Sequence, residues 1–243
     1  MREQVFVTLD TETTGRPTSA GGLIEVAAVR FLGSGEVLDS FSQLIRPRHS
    51  ISPFATKVHG LRTADLAGQP RVEEVMPRFG HFLNEGEPFV LAHNAGFDLS
   101  FLSAAFLACE MEQPGLSVYC TLEMARKLMP EAEGYKLGVL GTSLGLPQGV
   151  LHRALADCTL LKDLVVHWIA HMPQLRTVGD LETGFRRWAF GVRKRKLRSR
   201  RRQRARGADP ESGAEGEELD ESATALPAGD DSTESGAFAP TSD

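Results

Sequence analysis

The strongest constraint on this chain is a pair of acidic residues at the end of its first apolar segment. Residues 5–9 form a short apolar run, which is typical of a buried β-strand, and Asp10 and Glu12 follow it directly. Side chains at positions i and i+2 of a strand point to the same face, so both carboxylates are expected to leave the sheet side by side. The first strand therefore predicts two neighbouring acids on one side of a sheet.

Two further acidic residues are candidates for the same site. Asp98 belongs to AHNAGFDLSFL, and Asp157 follows His152 by five residues in HRALADC. Taken singly, each acid has an ordinary explanation: a turn residue for Asp10, a helix N-cap for Asp98 and an exposed helical position for Asp157. If they converge, their carboxylates repel one another unless a cation lies between them. Hard oxygen ligands suit Mg²⁺ or Mn²⁺, so the first hypothesis is a two-metal site that cleaves phosphodiesters.

Three motifs occur in a fixed order along the chain. They are D-x-E at Asp10-Thr11-Glu12, H-N-x-x-F directly before Asp98, and H-x-A-x-x-D from His152 to Asp157. Together they resemble the DEDDh family of 3′→5′ exonucleases, which contains the proofreading epsilon subunit of bacterial DNA polymerase III. The resemblance covers roughly residues 4–171, and it includes the shorter matches VHGL, CTL and YKL. One departure is Cys120, which stands where many relatives carry Asp, outside the motif carboxylates.

The resemblance implies a role for each motif residue. Asp10 would bridge two divalent ions, Mg²⁺ or Mn²⁺, while Glu12 and Asp157 would hold the ion that activates water. Asp98 would help to hold the second ion. His152 would take the proton from the attacking water, since an unperturbed imidazole titrates near neutrality. His152 is expected on a loop that enters the helix carrying Asp157.

The resemblance also implies a substrate. The expected reaction removes nucleoside 5′-monophosphates from 3′ ends of nucleic acid, with single-stranded DNA as the first expectation and RNA as the alternative. Thr13, His59 and Phe97 would contact the terminal nucleotide. A proofreading subunit, a DNA repair nuclease and an RNA-processing nuclease remain open as roles. A competing interpretation is a non-catalytic module that binds nucleic acid, and the intact motif residues argue against it.

Periodicity and turn residues predict an α/β domain. The expected domain has a mixed five-stranded central sheet flanked by helices, which matches the ribonuclease H-like fold that the resemblance implies. Three consecutive antiparallel strands come first, followed by alternating helices and strands. The predicted strands are 4–10, 23–32, 36–46, 89–92 and 116–120. The predicted helices are 72–84, 97–110, 121–129, 136–145 and 153–171.

Charge is distributed unevenly behind the formal net charge of −5. Residues 186–206 contain twelve Arg or Lys and no acid, whereas residues 207–243 contain eleven Asp or Glu and no base. We therefore predict an exonuclease domain over 1–175, a basic and potentially helical extension over 176–206, and an acidic disordered tail over 207–243. The basic run can contact phosphates or pair with the acidic tail, and its charge alone does not distinguish these two interpretations.

Aromatic residues in the extension need a partner. Phe185, Trp188 and Phe190 are costly to expose, so residues 181–190 either form a helix that binds a polymerase partner or pack back on the domain.

Several other features favour a reduced, cytoplasmic protein. No apolar run reaches 18 residues, so no membrane partner is expected, and the N-terminus lacks a signal peptide. Cys109, Cys120 and Cys158 are widely spaced and are expected to be reduced core residues. Glu25 lies inside an apolar run and is expected to make a structural hydrogen bond.

Overall fold

A six-stranded mixed sheet forms the centre of the computed structural model, which describes residues 1–15 and 22–191. The strand order is β3-β2-β1-β4-β5-β6. The strands are β1 (Val5–Thr13), β2 (Leu23–Leu32), β3 (Val37–Leu44), β4 (Phe89–Ala92), β5 (Leu116–Cys120) and β6 (Arg187–Phe190). Seven α-helices are described: α1 (Pro53–His59), α2 (Val72–Asn84), α3 (Ala95–Ala108), α4 (Thr121–Leu128), α5 (Leu137–Ser143), α6 (Ala154–His171) and α7 (Val178–Gly184). Short 3₁₀ turns occur at Thr63–Leu66 and Pro173–Leu175.

The strand directions place three strand ends at one edge of the sheet. β1, β4 and β5 run parallel to one another, whereas β1–β2, β2–β3 and β5–β6 are antiparallel pairs. Helices α3 and α4 begin within three residues of the ends of β4 and β5. In α/β sheets, ligands bind outside the carboxyl ends of parallel strands, so this edge is the expected place for a site.

The two faces of the sheet carry different helices. Val7 and Leu9 of β1 belong to the buried cluster that includes residues of α2 and α3. Phe6, from the opposite face of β1, packs in the cluster that contains the buried side of α6. The Thr8 hydroxyl donates a hydrogen bond to the Cys158 carbonyl at 2.9 Å and so fixes α6 on that face. Residues on α3 and α6 therefore approach the end of β1 from opposite sides.

The predicted α/β, ribonuclease H-like fold is confirmed, but the strand count is wrong. The sheet has six strands and not five, because residues 187–190 pair antiparallel with β5, from Leu116↔Phe190 to Tyr119↔Arg187. The alternating pattern of this strand is only four residues long, which is too short to identify from periodicity. The sheet therefore extends past the boundary predicted at residue 175.

The aromatic segment 181–190 packs back on the domain. Helix α7 ends at Gly184, so a single helix over 181–190 is wrong. The Phe190 ring meets the Phe106 ring edge-to-face, with centroids 5.6 Å apart. The predicted basic run over 192–206 and acidic tail over 207–243 lie outside the described residues.

Two expectations about composition can be compared directly with the structure. The three cysteines are free, and Cys120 and Cys158 are buried while Cys109 is half-buried. Among the described residues, no helix combines the length and apolar character needed to span a bilayer.

Candidate active site

The predicted acidic residues converge at the carboxyl edge of the sheet. Asp10 and Glu12 lie at the end of β1, where the pairing with β2 becomes irregular after Glu12. Asp98 enters from the first turn of α3, and Asp157 enters from the first turn of α6. All four carboxylate residues and His152 line one cavity of about 270 Å³. Residues that are far apart in the sequence are thereby brought together.

Asp98 is fixed from the strand next to it. Its carboxylate is 2% exposed, and its Oδ1 accepts a hydrogen bond from the Thr11 hydroxyl at 2.8 Å. The residue before α3, Asn94, has a left-handed backbone with φ of 64°. Asn tolerates this conformation better than most residues, so Asn94 allows the sharp turn from β4 into α3. Sequence analysis missed Thr11 as the hydrogen-bond donor.

His152 lies on a strained loop beside Asp157. Its backbone has a φ of 62°, which is uncommon for a residue other than Gly and is typical of functional sites. The His152 amide donates a hydrogen bond to Asp157 Oδ2 at 3.1 Å. Glu12, His152 and Asp157 each offer one potential ligand atom, and these atoms lie within 4.8 Å of one another. The imidazole is therefore close enough to the carboxylates to act on a group held between them.

A buried ion pair anchors the loop that carries His152. The Glu25 carboxylate on β2 is 2% exposed and accepts hydrogen bonds from Arg153 Nε at 3.1 Å and Arg153 Nη2 at 3.2 Å. The Ala154 amide donates to the same carboxylate at 3.4 Å. The structural hydrogen bond expected for Glu25 is thus present, and it joins β2 to the start of α6. Arg153 as its partner was not foreseen.

Burial, together with neighbouring charges at Asp10 and Glu12, raises the pKa values of the acidic side chains. Burial, reinforced by Asp157, Glu25 and Asp98, raises the pKa of Glu12 to about 8. Burial raises the pKa of Asp98 to about 7 against the opposing hydrogen bond from Thr11. The pKa of Asp10 also lies well above its usual range, because of burial and then the charges of Asp98, Asp157 and Glu12. Ionised carboxylates at this edge therefore need a compensating positive charge.

The donor set fits divalent cations. Four carboxylates and the imidazoles of three histidines line the cavity, and among the described residues that line it there is no Lys or Arg. Arg153, the nearest cation named above, is bonded to Glu25. Hard oxygen donors favour Mg²⁺ or Mn²⁺ over softer metals. We conclude that the cavity can hold a divalent metal ion between its carboxylates.

Magnesium should stabilise the protein more strongly at alkaline pH. In the metal-free fold, carboxylates with a raised pKa lower the free energy of unfolding as the pH rises from the unfolded-state pKa, about 4, to the folded-state values of about 7 and about 8. Bound Mg²⁺ offsets that cost only where the carboxylates are ionised. Saturating Mg²⁺ should therefore raise the Tm by about 5 °C at about pH 8, and by much less at about pH 5. Differential scanning fluorimetry measures both shifts, and equal shifts at the two pH values would contradict the prediction.

The predicted substrate residues line the same cavity. Phe97 is 45% exposed there, and the Thr13 hydroxyl accepts a hydrogen bond from the Gly15 amide at 3.2 Å. His59 is buried, and its Nδ1 accepts a hydrogen bond from the Leu61 amide at 3.1 Å. Its Nε2 is also buried and has no hydrogen-bond partner among the described residues. The His59 ring is therefore part of the wall of the cavity, beside the Thr13 backbone.

Two apolar residues of the cavity were missed by sequence analysis. Phe54, 76% exposed, and Val58, 41% exposed, lie one turn apart on α1 and line the cavity with Phe97. Helix α1 begins at Pro53, is capped by the Ser52 hydroxyl and ends at a left-handed Gly60. These cap signals were available in the sequence, but the helix has only seven residues. It is too short for its periodicity to be visible.

Comparison with known proteins assigns the family. The family model for RNase T, described as an exonuclease, matches residues 7–165. The chain belongs to this exonuclease family. The exonuclease is 32% identical over 178 residues to the DNA polymerase III subunit epsilon of Aquifex aeolicus, a match that covers 72% of this chain and 85% of the relative. It is 35% identical over 173 residues to a putative bifunctional exonuclease/endonuclease protein of Mycobacterium tuberculosis. That match covers 68% of this chain and only 26% of the relative's length.

Solved structures show the same family and fold. Exonuclease X, solved in complex with 5′ overhanging duplex DNA, is 30% identical with a TM-score of 0.55. The alignment covers 69% of this exonuclease and 92% of that chain. Exonuclease I has a TM-score of 0.63 at 18% identity, which shows the shared fold alone. The alignment covers 71% of this exonuclease and 42% of the exonuclease I chain.

Proposed function

We propose that this chain is a metal-dependent 3′→5′ exonuclease of the DEDDh type that acts on single-stranded 3′ ends of DNA and releases nucleoside 5′-monophosphates. The observation that carries the proposal is the convergence of Asp10, Glu12, Asp98, Asp157 and His152 on one cavity. Membership of an exonuclease family supports the reaction class. The relative named DNA polymerase III subunit epsilon supports DNA as the substrate.

In the proposed reaction the four acidic residues bind metal and His152 transfers a proton. Asp10, Glu12, Asp98 and Asp157 would hold two divalent ions, Mg²⁺ or Mn²⁺. Ions bound in such a site lower the pKa of water and stabilise the leaving oxygen. The His152 imidazole accepts the proton of the attacking water, and the bond from its own backbone amide to Asp157 keeps the loop next to the acids.

Two cavities of unequal size support cleavage from an end. The cavity of about 270 Å³ holds Thr13, His59 and Phe97, whereas a groove of about 930 Å³ continues from the same acids along α4 and α5. The two spaces share Asp10, His93, His152 and Asp157. The smaller space suits one terminal nucleotide, and the larger suits the rest of a strand. An enzyme that removes single nucleotides needs a small space for the terminal nucleotide and a larger one for the remaining strand.

The smaller cavity offers contacts of the kind that a nucleotide needs. The exposed face of Phe97 is available for a base to stack on. Burial lowers the pKa of His59, which favours a neutral imidazole. With Nδ1 accepting from Leu61, Nε2 carries the ring proton, and a small shift of the ring would let it donate to a phosphate or sugar oxygen of the substrate.

The direct test uses single-stranded DNA and RNA of the same sequence, labelled at the 5′ end and incubated with Mg²⁺. The expected product is a ladder of labelled strands that shortens from the 3′ end, with DNA degraded faster than RNA. A 3′-labelled strand should release labelled mononucleotide in the first turnover. Release of mononucleotide from the 5′ end, or internal cuts alone, would overturn the proposal. Faster loss of RNA would reassign the substrate to RNA.

Arg126 and Lys136 should matter only for long substrates. Both side chains are exposed, and both line the larger groove, where each can contact a strand phosphate. The double variant Arg126→Gln, Lys136→Gln should lower kcat/KM about tenfold on a strand of about 20 nucleotides, since each exposed ion pair with a phosphate is worth roughly 0.7 kcal/mol and about 1.4 kcal/mol corresponds to tenfold. A dinucleotide does not reach the groove and should be cleaved at the wild-type rate. The matched control is Arg2→Gln, Arg78→Gln, two exposed cations outside both cavities. Equal losses on both substrates would contradict this assignment.

A replicative polymerase is the proposed partner, because one relative of this chain is named DNA polymerase III subunit epsilon. The extension predicted over 176–206 is the candidate contact segment, and residues 176–191 are its described part. They contain helix α7 and strand β6, and both elements belong to the domain. Contact through the remainder, residues 192–206, stays a proposal. Deleting 192–206 should abolish co-elution with the polymerase in size-exclusion chromatography and leave exonuclease activity intact.

A further inference from the structure

Strand β6 contacts the first turn of α3, the turn that carries Asp98, through Trp188. Trp188 packs against Gly96, which lies in the first turn of α3 two residues before Asp98. A Cβ added to Gly96 would lie 3.1 Å and 3.2 Å from two carbons of the indole ring. The ring therefore occupies the space that any larger side chain at position 96 would need.

The indole is held from several directions. Trp188 pairs with Val118 of β5, and the Arg186 guanidinium lies 4.8 Å from the ring centroid. Two residues further, Phe190 is buried against the core. The indole Nε1 is buried and has no hydrogen-bond partner among the described residues, which costs free energy. The indole nitrogen is therefore buried without a partner, which indicates that Trp188 contributes mainly through the packing of its ring.

The first turn of α3 depends on packing for its position. Asn94 precedes it with a left-handed backbone, and no side chain caps the start of the helix. The Thr11 hydroxyl fixes the Asp98 carboxylate from the β1 side. Trp188, from strand β6, packs against the same turn at Gly96. Movement of the ring would be transmitted to Phe97 and Asp98 through Gly96.

We propose that Trp188 is a positioning residue that holds Asp98 in place for metal binding. The inference rests on the proposed function, because it assumes that Asp98 is a metal ligand. It assigns a role to a strand that lies beyond residues 7–165, the part of the chain that the family model matches. The C-terminal segment is therefore part of the catalytic scaffold of this chain.

The first test measures the Mg²⁺ concentration at the midpoint of thermal stabilisation, which is a readout independent of activity. Trp188→Ala should raise this midpoint about tenfold and lower kcat on single-stranded DNA by a similar factor, as is typical when a supporting residue of a metal site is lost. KM should change little. Trp188→Phe keeps an aromatic face on Gly96 and should restore most of both values. Phe190→Ala, a core change on the same strand, should lower the Tm without moving the Mg²⁺ midpoint.

A second test uses Gly96→Ala, whose methyl group would lie 3.1 Å from the indole ring, closer than an ordinary van der Waals contact. In the wild-type background it should raise the Mg²⁺ midpoint. In the Trp188→Ala background the space is open and Ala favours the helix, so the same change should be neutral or favourable. Strictly additive effects of the two changes would overturn the proposal. So would Trp188→Ala and Phe190→Ala variants with equal Mg²⁺ midpoints. If the wild-type protein itself shows no Mg²⁺ response, the proposed function fails, and this inference fails with it.

Discussion

Asp10→Asn is expected to lower kcat/KM on single-stranded DNA by about a thousand-fold or more. Asp10, like Asp157, lines both cavities and lies among the other carboxylates, so removal of its charge should weaken the binding of the proposed ions. Metal ions stabilise the charge of such a transition state by several kcal/mol, and each 1.36 kcal/mol corresponds to about tenfold in rate. Asn keeps the size of the side chain and removes the charge. The measurement is the initial rate on 5′-labelled DNA with saturating Mg²⁺.

The same substitution should make the metal-free protein more stable. Burial and the neighbouring acids raise the pKa of Asp10, so its ionised form is costly in the folded state at alkaline pH. A neutral amide removes that cost, and the Tm at about pH 8 should rise without Mg²⁺ while activity is lost. Asp39→Asn, at an exposed position on β3, is the matched control and should change neither quantity. An Asp10→Asn protein that is inactive and also less stable would point to misfolding and not to the loss of a metal ligand.

His152→Ala is expected to lower kcat by a factor of about 10² to 10⁴, the range typical of a lost general base. KM should stay close to the wild-type value, because His152 acts on the attacking water and not on the bound strand. The Mg²⁺-induced rise in Tm should be retained, since the four carboxylates remain. His81→Ala, at an exposed position on α2, is the control and should leave kcat unchanged.

The Mg²⁺ response separates two roles for His152. Its ring offers an atom within 4.8 Å of ligand atoms from Glu12 and Asp157, a distance that also suits a metal ligand. If His152→Ala abolishes both activity and the Mg²⁺-induced shift, the imidazole is a ligand and another group must accept the proton. If only kcat falls, His152 is the base.

Much of the site could be predicted because its residues obey local rules. The period of two in β1 was enough to place Asp10 and Glu12 on the same side of the sheet. Asp98 and Asp157 were recognisable only from their motifs, since a single acid at the start of a helix is common. Their convergence depends on two helices that pack on opposite faces of the sheet, a long-range arrangement that no sequence window contains.

The elements that were missed share a physical cause. Helix α1 and strand β6 are seven and four residues long, so neither shows enough periodicity to be distinguished from a loop. The pairing of Glu25 with Arg153 joins residues 128 positions apart, and only the folded structure reveals it. Phe54 could not be assigned to the site before α1 was known to border the cavity.

The two unequal cavities have a consequence for how a strand would be consumed. In the proposed reaction only the terminal nucleotide would occupy the smaller space, so it could diffuse away after cleavage while the shortened strand stayed in the groove along α4 and α5. The new end then needs to advance by one nucleotide to refill the empty space. Successive cuts on one strand would thus be favoured over dissociation after each cut, and the number of nucleotides removed per encounter would be set by how firmly the groove retains the strand.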